Sequence, residues 1–345
     1  MTGLRAAFLS QADSCEALES PFMGRILRML PDLMAVTSDL SKRCASFEGE
    51  LGPSGHSLPL RIASGLHALV LRSDAPNLTA VYPPNDVSDD VLRTALRNAL
   101  TTHDTFLTNW ITNTPQTNEV RRSAVLIATA QLLADRFDLP FSVSEMGASG
   151  GLNLMFDRFH LAVGSGYGPQ SDVVLQPDWR GPLPVQAPLT IAERRGVDLH
   201  PLDSKSPEHA LRLLAYLWPD QTERMIRTRA AIALQDAPVD SGDAINWLQH
   251  RLPAHKAGQI HFIYTTVAWQ YFPVDSQTKG TALIADAGAK ATNDAPLAWL
   301  SYETDGKKNG AALTLRLWPG NHTIELGRAD FHGRWINWTA PTRLP

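Results

Sequence analysis

Residues 141–158 read Phe-Ser-Val-Ser-Glu-Met-Gly-Ala-Ser-Gly-Gly-Leu-Asn-Leu-Met-Phe-Asp-Arg. A run with β-favouring Phe141 and Val143 ends in a carboxylate, Glu145. A glycine-rich turn follows, Gly147 to Gly151, and then an apolar helical run through Leu152, Leu154, Met155 and Phe156. Strand, tight turn and helix in that order describe the first βα unit of a nucleotide-binding α/β sheet. Glycine suits such a turn because a backbone without Cβ bends sharply and lets a ligand come close. The helix that follows is expected to aim its N-terminal N–H groups at whatever lies over the turn.

Three chemistries use a turn of this kind. A dinucleotide site wants G-x-G-x-x-G, and the fingerprint positions here are Gly147, Ser149 and Leu152, so two of three fail. A nucleophile elbow wants G-x-S-x-G, which Gly147-Ala-Ser149-Gly-Gly151 satisfies literally. An S-adenosylmethionine site shows an acid at the strand end followed by spaced glycines, and Glu145, Gly147, Ser149 and Gly151 match it with Ser in place of the central Gly. The bland alternative is a turn that only packs a helix on a strand. Context has to separate them.

Upstream, residues 1 to about 139 read as helical throughout, apart from a weak strand candidate at Ala80–Tyr82. Leu92, Leu96, Leu100, Phe106, Leu107 and Trp110 form an apolar stripe, and Gly49–Gly55 is a loop. Downstream, strands are expected near 188–194, 237–239 and 260–267, alternating with helices; strand-like runs at 298–302, 311–318 and 323–326 close the chain. The fold class is therefore α/β: a Rossmann-like, mostly parallel sheet with an antiparallel C-terminal edge. The expected division is a helical block over 1–114 and an α/β domain over 115–345, with a hairpin-bearing insertion at 159–187 that either lids a site or makes a dimer contact.

Composition narrows the partners. At 345 residues with 43% hydrophobic residues the chain has ample material for a core. A net charge of −4 gives no electrostatic footprint for nucleic acid. Two cysteines, Cys15 and Cys44, fit unpaired thiols in a reducing compartment. No window approaches 18 uncharged apolar residues, and the first 20 residues lack a sustained apolar core. The expectation is a cytoplasmic protein acting on a small molecule, without membrane or nucleic-acid partners; the oligomeric state stays open. The eleven histidines show no metal-ligand spacing.

Position in the chain favours the S-adenosylmethionine reading. The elbow-like turn follows the first strand, whereas a hydrolase elbow follows several, and no HGGG-type segment precedes it. A hydrolase triad in chain order would be Ser149, Asp286 and His332. Asp198 or Glu193, closing the second strand, is placed to take ribose hydroxyls; Asp243, after the third, is placed for an adenine amino group.

Gln116-Thr-Asn-Glu-Val-Arg-Arg122 and Glu145-Met-Gly-Ala-Ser-Gly-Gly-Leu-Asn-Leu154 together resemble a bacterial family known only as a domain of unknown function. Arg195-Gly-Val-Asp198, Trp218-Pro-Asp-Gln221, Trp269-Gln-Tyr271, Trp299-Leu-Ser-Tyr-Glu303 and His332-Gly extend the resemblance over nearly the whole chain. Gly150 departs from the family's usual Ala. That family is similar in fold to class I methyltransferases, which implies a seven-stranded sheet with a reversed last strand.

Candidate cofactor residues are thus Glu145, Gly147, Ser149, Gly151, Asn153, Asp198 and Asp243. Gln116, Asn118, Trp269 and Gln270 are candidate substrate contacts; Tyr271, His332 and Glu119 are candidate bases. Each has a plainer reading. Asn118 and Glu119 suit a helix N-terminus, Trp269 and Tyr271 suit a core, and Asp157-Arg158 suits a surface ion pair. Glu145 is the hardest to explain away, because a carboxylate ending a buried strand is costly without a partner or ligand.

Overall fold

The computed structural model describes residues 2–53, 55–254 and 256–345. Ser54, in the loop expected over 49–55, lies outside the described residues. The chain forms two compact units: residues 1–117 with 206–226, and residues 118–205 with 227–345.

The first unit is helical. It holds α1 (Thr2–Ala17), α2 (Pro21–Leu33), α3 (Asp39–Ala45), α4 (Leu58–Leu71), α5 (Pro76–Thr79), α6 (Asp89–Thr102) and α7 (Asp104–Trp110). Its core gathers Phe8, Ile26, Leu27, Leu30, Ile62, Leu66, Leu92, Leu96 and Leu107. Ala80–Tyr82 is a turn, not a strand, although Val81 and Tyr82 are buried. No helix among the described residues is long and apolar enough to cross a membrane.

The second unit opens with α8 (Ser123–Phe137), buried without a break from Ser123 to Ala134. A helix apolar on all sides belongs in an interior. Next come β1 (Phe141–Met146), a 3-10 helix at Leu152–Arg158, β2 (His160–Leu161), β3 (Val174–Leu175), β4 (Asp178–Arg180) and β5 (Ile191–Asp198). Then follow α9 (Pro207–Ala215) in the helical unit, α10 (Thr222–Leu234), β6 (Val239–Ser241), α11 (Ala244–Arg251), β7 (Ile260–Thr266) and α12 (Val274–Gly288). The C-terminal strands are β8 (Leu297–Glu303), β9 (Ala311–Trp318), β10 (His322–Ala329) and β11 (Trp335–Trp338). Ser206 caps α9 with Pro207 at its first position, as its sequence suggests.

Nine strands form one sheet in the order β4-β11-β10-β9-β8-β7-β1-β5-β6. The block β6-β5-β1-β7-β8 is parallel, and β8, β9, β10 and β11 run antiparallel to one another. The sheet is therefore mixed and mostly parallel, as expected, but it has nine strands and a C-terminal meander where the resemblance implied seven with one reversed. The expected hairpin within 159–187 also gives way to other pairings. β2 and β3 pair in parallel, a single antiparallel bridge joins Leu161 to Tyr167, and β4 leaves to pair with β11. One face of the sheet packs Phe141, Val143, Phe262 and Leu300 with α8; the other packs Met146, Val197, Ile263 and Trp299 with α11 and α12.

Candidate functional site

The chain runs from β1 outward through β5 to β6, then returns to β7 on the other side of β1. Strand order reverses there, and ligands of open α/β sheets sit at the C-terminal ends of strands beside such a reversal. Glu145 is at that end of β1, opposite Tyr264 of β7 and Gly196 of β5 in the ladder, and it is 1% exposed. Residues opposite one another in register share a face, so the carboxyl and the phenol are neighbours. Burial, then the charge of Asp198, push the Glu145 carboxyl well above the ordinary range, against the weaker pull of Arg122, Tyr264 and Asn153. The Tyr264 hydroxyl donates to the Asn153 carbonyl at 3.1 Å, and burial raises this phenol too.

Within residues 145–153 three buried polar atoms have no hydrogen-bond partner: Glu145 Oε2, Ser149 Oγ and Asn153 Nδ2. Each such atom costs about 1–3 kcal/mol. The other end of the Asn153 amide is fixed, since Ser123 Oγ donates to Asn153 Oδ1 at 2.7 Å.

The turn is held by backbone strain and by two side chains. Gly147 and Gly151 have φ of +73° and +69°, and Ser149 stands at +52°. A Cβ on Gly147 would lie 2.5 Å from the Ala268 Cβ, and one on Gly151 would strike Gln235 and Val239. The turn's own conformation and packing thus already require glycine at both positions. Asp198 clamps the turn, accepting from Ser149 N at 2.8 Å and from His200 N at 2.9 Å. The element after the turn is a 3-10 helix of seven residues, not the expected α-helix, and its first N–H, from Leu152, already donates to Asn118 Oδ1 at 2.9 Å. That N–H is therefore already taken by the chain itself.

Asn118 thus caps across the chain, while Glu119 caps the 3-10 turn Val120–Arg122 through Arg121 N. Arg122 donates to the carbonyls of Thr266 at 2.8 Å and Phe331 at 2.9 Å, tying the end of β7 to the loop that carries His332. A Cβ on Gly333 would strike Arg121, so this loop lies against the 119–122 turn. Asp330 holds the loop by accepting from His332 N and from the Arg334 guanidinium. Glu119 and His332 are thereby brought together with Glu145's side of the sheet; Gln116 belongs to the helical unit.

Other expected residues are engaged in the fold or exposed. Asp243 is the exposed N-cap of α11, accepting from Ile245 N and Asn246 N. Trp269 packs against Trp299 and Phe272 in the core, and Gln270 accepts from Thr304 N through its side chain. Tyr271 is 74% exposed. Asp157 and Arg158 do not pair with each other: Asp157 forms a bidentate pair with Arg194 at 2.6 and 3.0 Å, and Arg158 pairs with Asp236. Ser149, Asp286 and His332 are not assembled as a triad. Asp286 lines a cavity with His261 and Leu297, at the N-terminal ends of β7 and β8, whereas Ser149 follows the C-terminal end of β1.

Several residues of the site escaped the sequence reading. Glu303 ends β8 as Glu145 ends β1, and it accepts from three successive N–H groups, those of Ala268, Trp269 and Gln270. The signal that singled out Glu145, an acid closing a buried strand, applied equally there. Val267, a β-branched residue at φ +55°, closes β7. Such a conformation is an outlier for this residue type, and together with Ser149 it puts strain at the ends of two adjacent strands. Arg122, Ser123 and Tyr264 carried no separate signal.

A family model described as "uncharacterized protein conserved in bacteria (DUF2332)" matches residues 5–338, and the chain belongs to that family. No curated protein and no solved structure matches it.

Proposed function

We propose that this member of a bacterial family binds S-adenosylmethionine at the end of β1 and passes a methyl group to a small molecule. The observation that carries the reading is the trio of buried, unpartnered atoms on Glu145, Asn153 and Ser149 at a strand-order reversal. An amino-acid head needs an acceptor for its ammonium and donors for its carboxylate. Glu145 Oε2 offers the first, and Asn153 Nδ2 with Ser149 Oγ the second. S-adenosylmethionine supplies an electrophilic methyl on a sulfonium, and the chain's part is then mostly alignment. Among the candidate bases we assign removal of an acceptor proton to His332, because Glu119 is engaged as a cap and Tyr271 stands in solvent.

A second reading, a serine hydrolase, draws on the positive φ of Ser149 at the centre of its G-x-S-x-G turn. It requires a base on Ser149 Oγ, which has no partner.

A thermal-shift titration with S-adenosylmethionine and S-adenosylhomocysteine, against NAD and ATP, tests the proposal. Ligand at 100 times its Kd adds ~2.7 kcal/mol to the native state, a shift of a few degrees. The expected shift is selective for the two sulfur nucleosides and is lost in Glu145→Ala. Absence of any shift overturns the proposal, and labelling of Ser149 by a fluorophosphonate would then install the hydrolase. Binding without methyl transfer to any acceptor would leave a ligand-binding protein.

A further inference from the structure

The helical unit contains a cavity of about 670 Å³ between the C-terminus of α4, α7 and α9. That volume falls within the range of small-molecule sites. Its apolar wall is built by Phe106, Trp110 and Leu211, which belong to one small cluster with Ala68 and Ala215. The Phe106 and Trp110 rings lie 5.6 Å apart, and the Trp110 ring is fixed by its Nε1–H donating to Ser64 Oγ at 2.9 Å.

Two arginines face this cavity. Arg72 is committed: it pairs with Asp74 at 2.8 Å and lies over the Phe106 ring. Arg212 is not. Its Nε is buried with no hydrogen-bond partner among the described residues, and Glu208, one turn earlier on α9 and also lining the cavity, makes no ion pair with it. A buried donor on a charged group without an acceptor is costly.

We propose that this cavity binds a small organic carboxylate with an aromatic or apolar body. The planar Arg212 fork takes the carboxylate, which it matches better than any point cation does. The Phe106–Leu211 wall takes the body of the ligand. The site lies within the helical unit and is independent of the reading given for the turn after β1.

Titration calorimetry of the full chain with phenylacetate and cinnamate, using inorganic phosphate and 2-phenylethanol as controls, tests it. The acids bind saturably, and phosphate and the alcohol at least roughly tenfold more weakly, since each supplies only half of the recognition. Arg212→Lys, which keeps charge and loses the fork, weakens the acids, and Arg212→Met abolishes binding. Arg212→Met also raises the melting temperature of the ligand-free chain, because the unpartnered group is gone; a residue serving structure alone would lower it. Glu145→Gln leaves acid binding unchanged. Failure of both acids to bind, or binding indifferent to Arg212→Met, overturns the proposal.

Discussion

Ser149→Gly separates what the turn costs from what it does. Ser149 holds a left-handed backbone at φ +52°, which for a residue with a Cβ costs about 1–2 kcal/mol. Its buried hydroxyl has no partner, at about 1–3 kcal/mol. Glycine removes both terms and gives back about 0.5–1 kcal/mol in unfolded-state entropy. The net expectation is roughly 1–4 kcal/mol of added stability. For a unit of about 200 residues, each kcal/mol moves the midpoint ~2–4 °C, so the ligand-free variant melts several degrees higher. Ser149→Ala removes only the hydroxyl and falls between the two. The same change takes away one of three atoms proposed to hold ligand, so the shift induced by S-adenosylhomocysteine shrinks while the baseline rises. Thermal denaturation with and without ligand reads both quantities. A variant that melts no higher than the parent would refute the strain argument; a raised baseline with an undiminished ligand shift would refute the role of the hydroxyl.

Glu145→Gln tests burial of the carboxyl through pH. The folded group titrates above its unfolded value, so its contribution is fully present below the unfolded pKa and is lost as pH rises through the folded one. Without ligand, parent and variant should be equally stable near pH 4 and diverge above it in favour of Gln, by ~1.4 kcal/mol per pH unit within the window; parallel urea-denaturation midpoints from pH 4 to 8 would contradict this. Burial pushes both the Cys15 and Cys44 thiols up to about 12. A disulfide reagent at pH 8 should therefore leave the native chain unlabelled and modify two thiols once denaturant is added, and fast labelling of either in native buffer would overturn their assigned burial.

Much of the site was legible because its chemistry is local. An acid at the end of an apolar strand and glycines just after it announced a strained turn at 147–151, and the turn is there. The apolar pattern after it could not distinguish a 3-10 from an α-helix, since Leu152, Leu154, Met155 and Phe156 are buried in either. What decides is the long-range bond from Leu152 N to Asn118, invisible to any window. The same holds for the assignment of 206–226 to the helical unit, where Asp220 accepts from Ser20 and Phe22 some two hundred residues away. β4 and β11 escaped notice because three or four residues are too few to show an alternating pattern. Glu303 shares the acid at a strand end but lacks the glycine-rich turn that marks Glu145.

Both borders of the nine-stranded sheet are strands of three residues, β4 and β6. β4 carries the exposed ion pair of Asp178 with Arg180, and Gly181 just beyond it leaves no room for a side chain against the Trp338 carbonyl. A border this short and charged offers a neighbouring chain almost no ladder to join. The sheet has in effect finished growing, and a neighbouring copy would gain little by adding a strand to it.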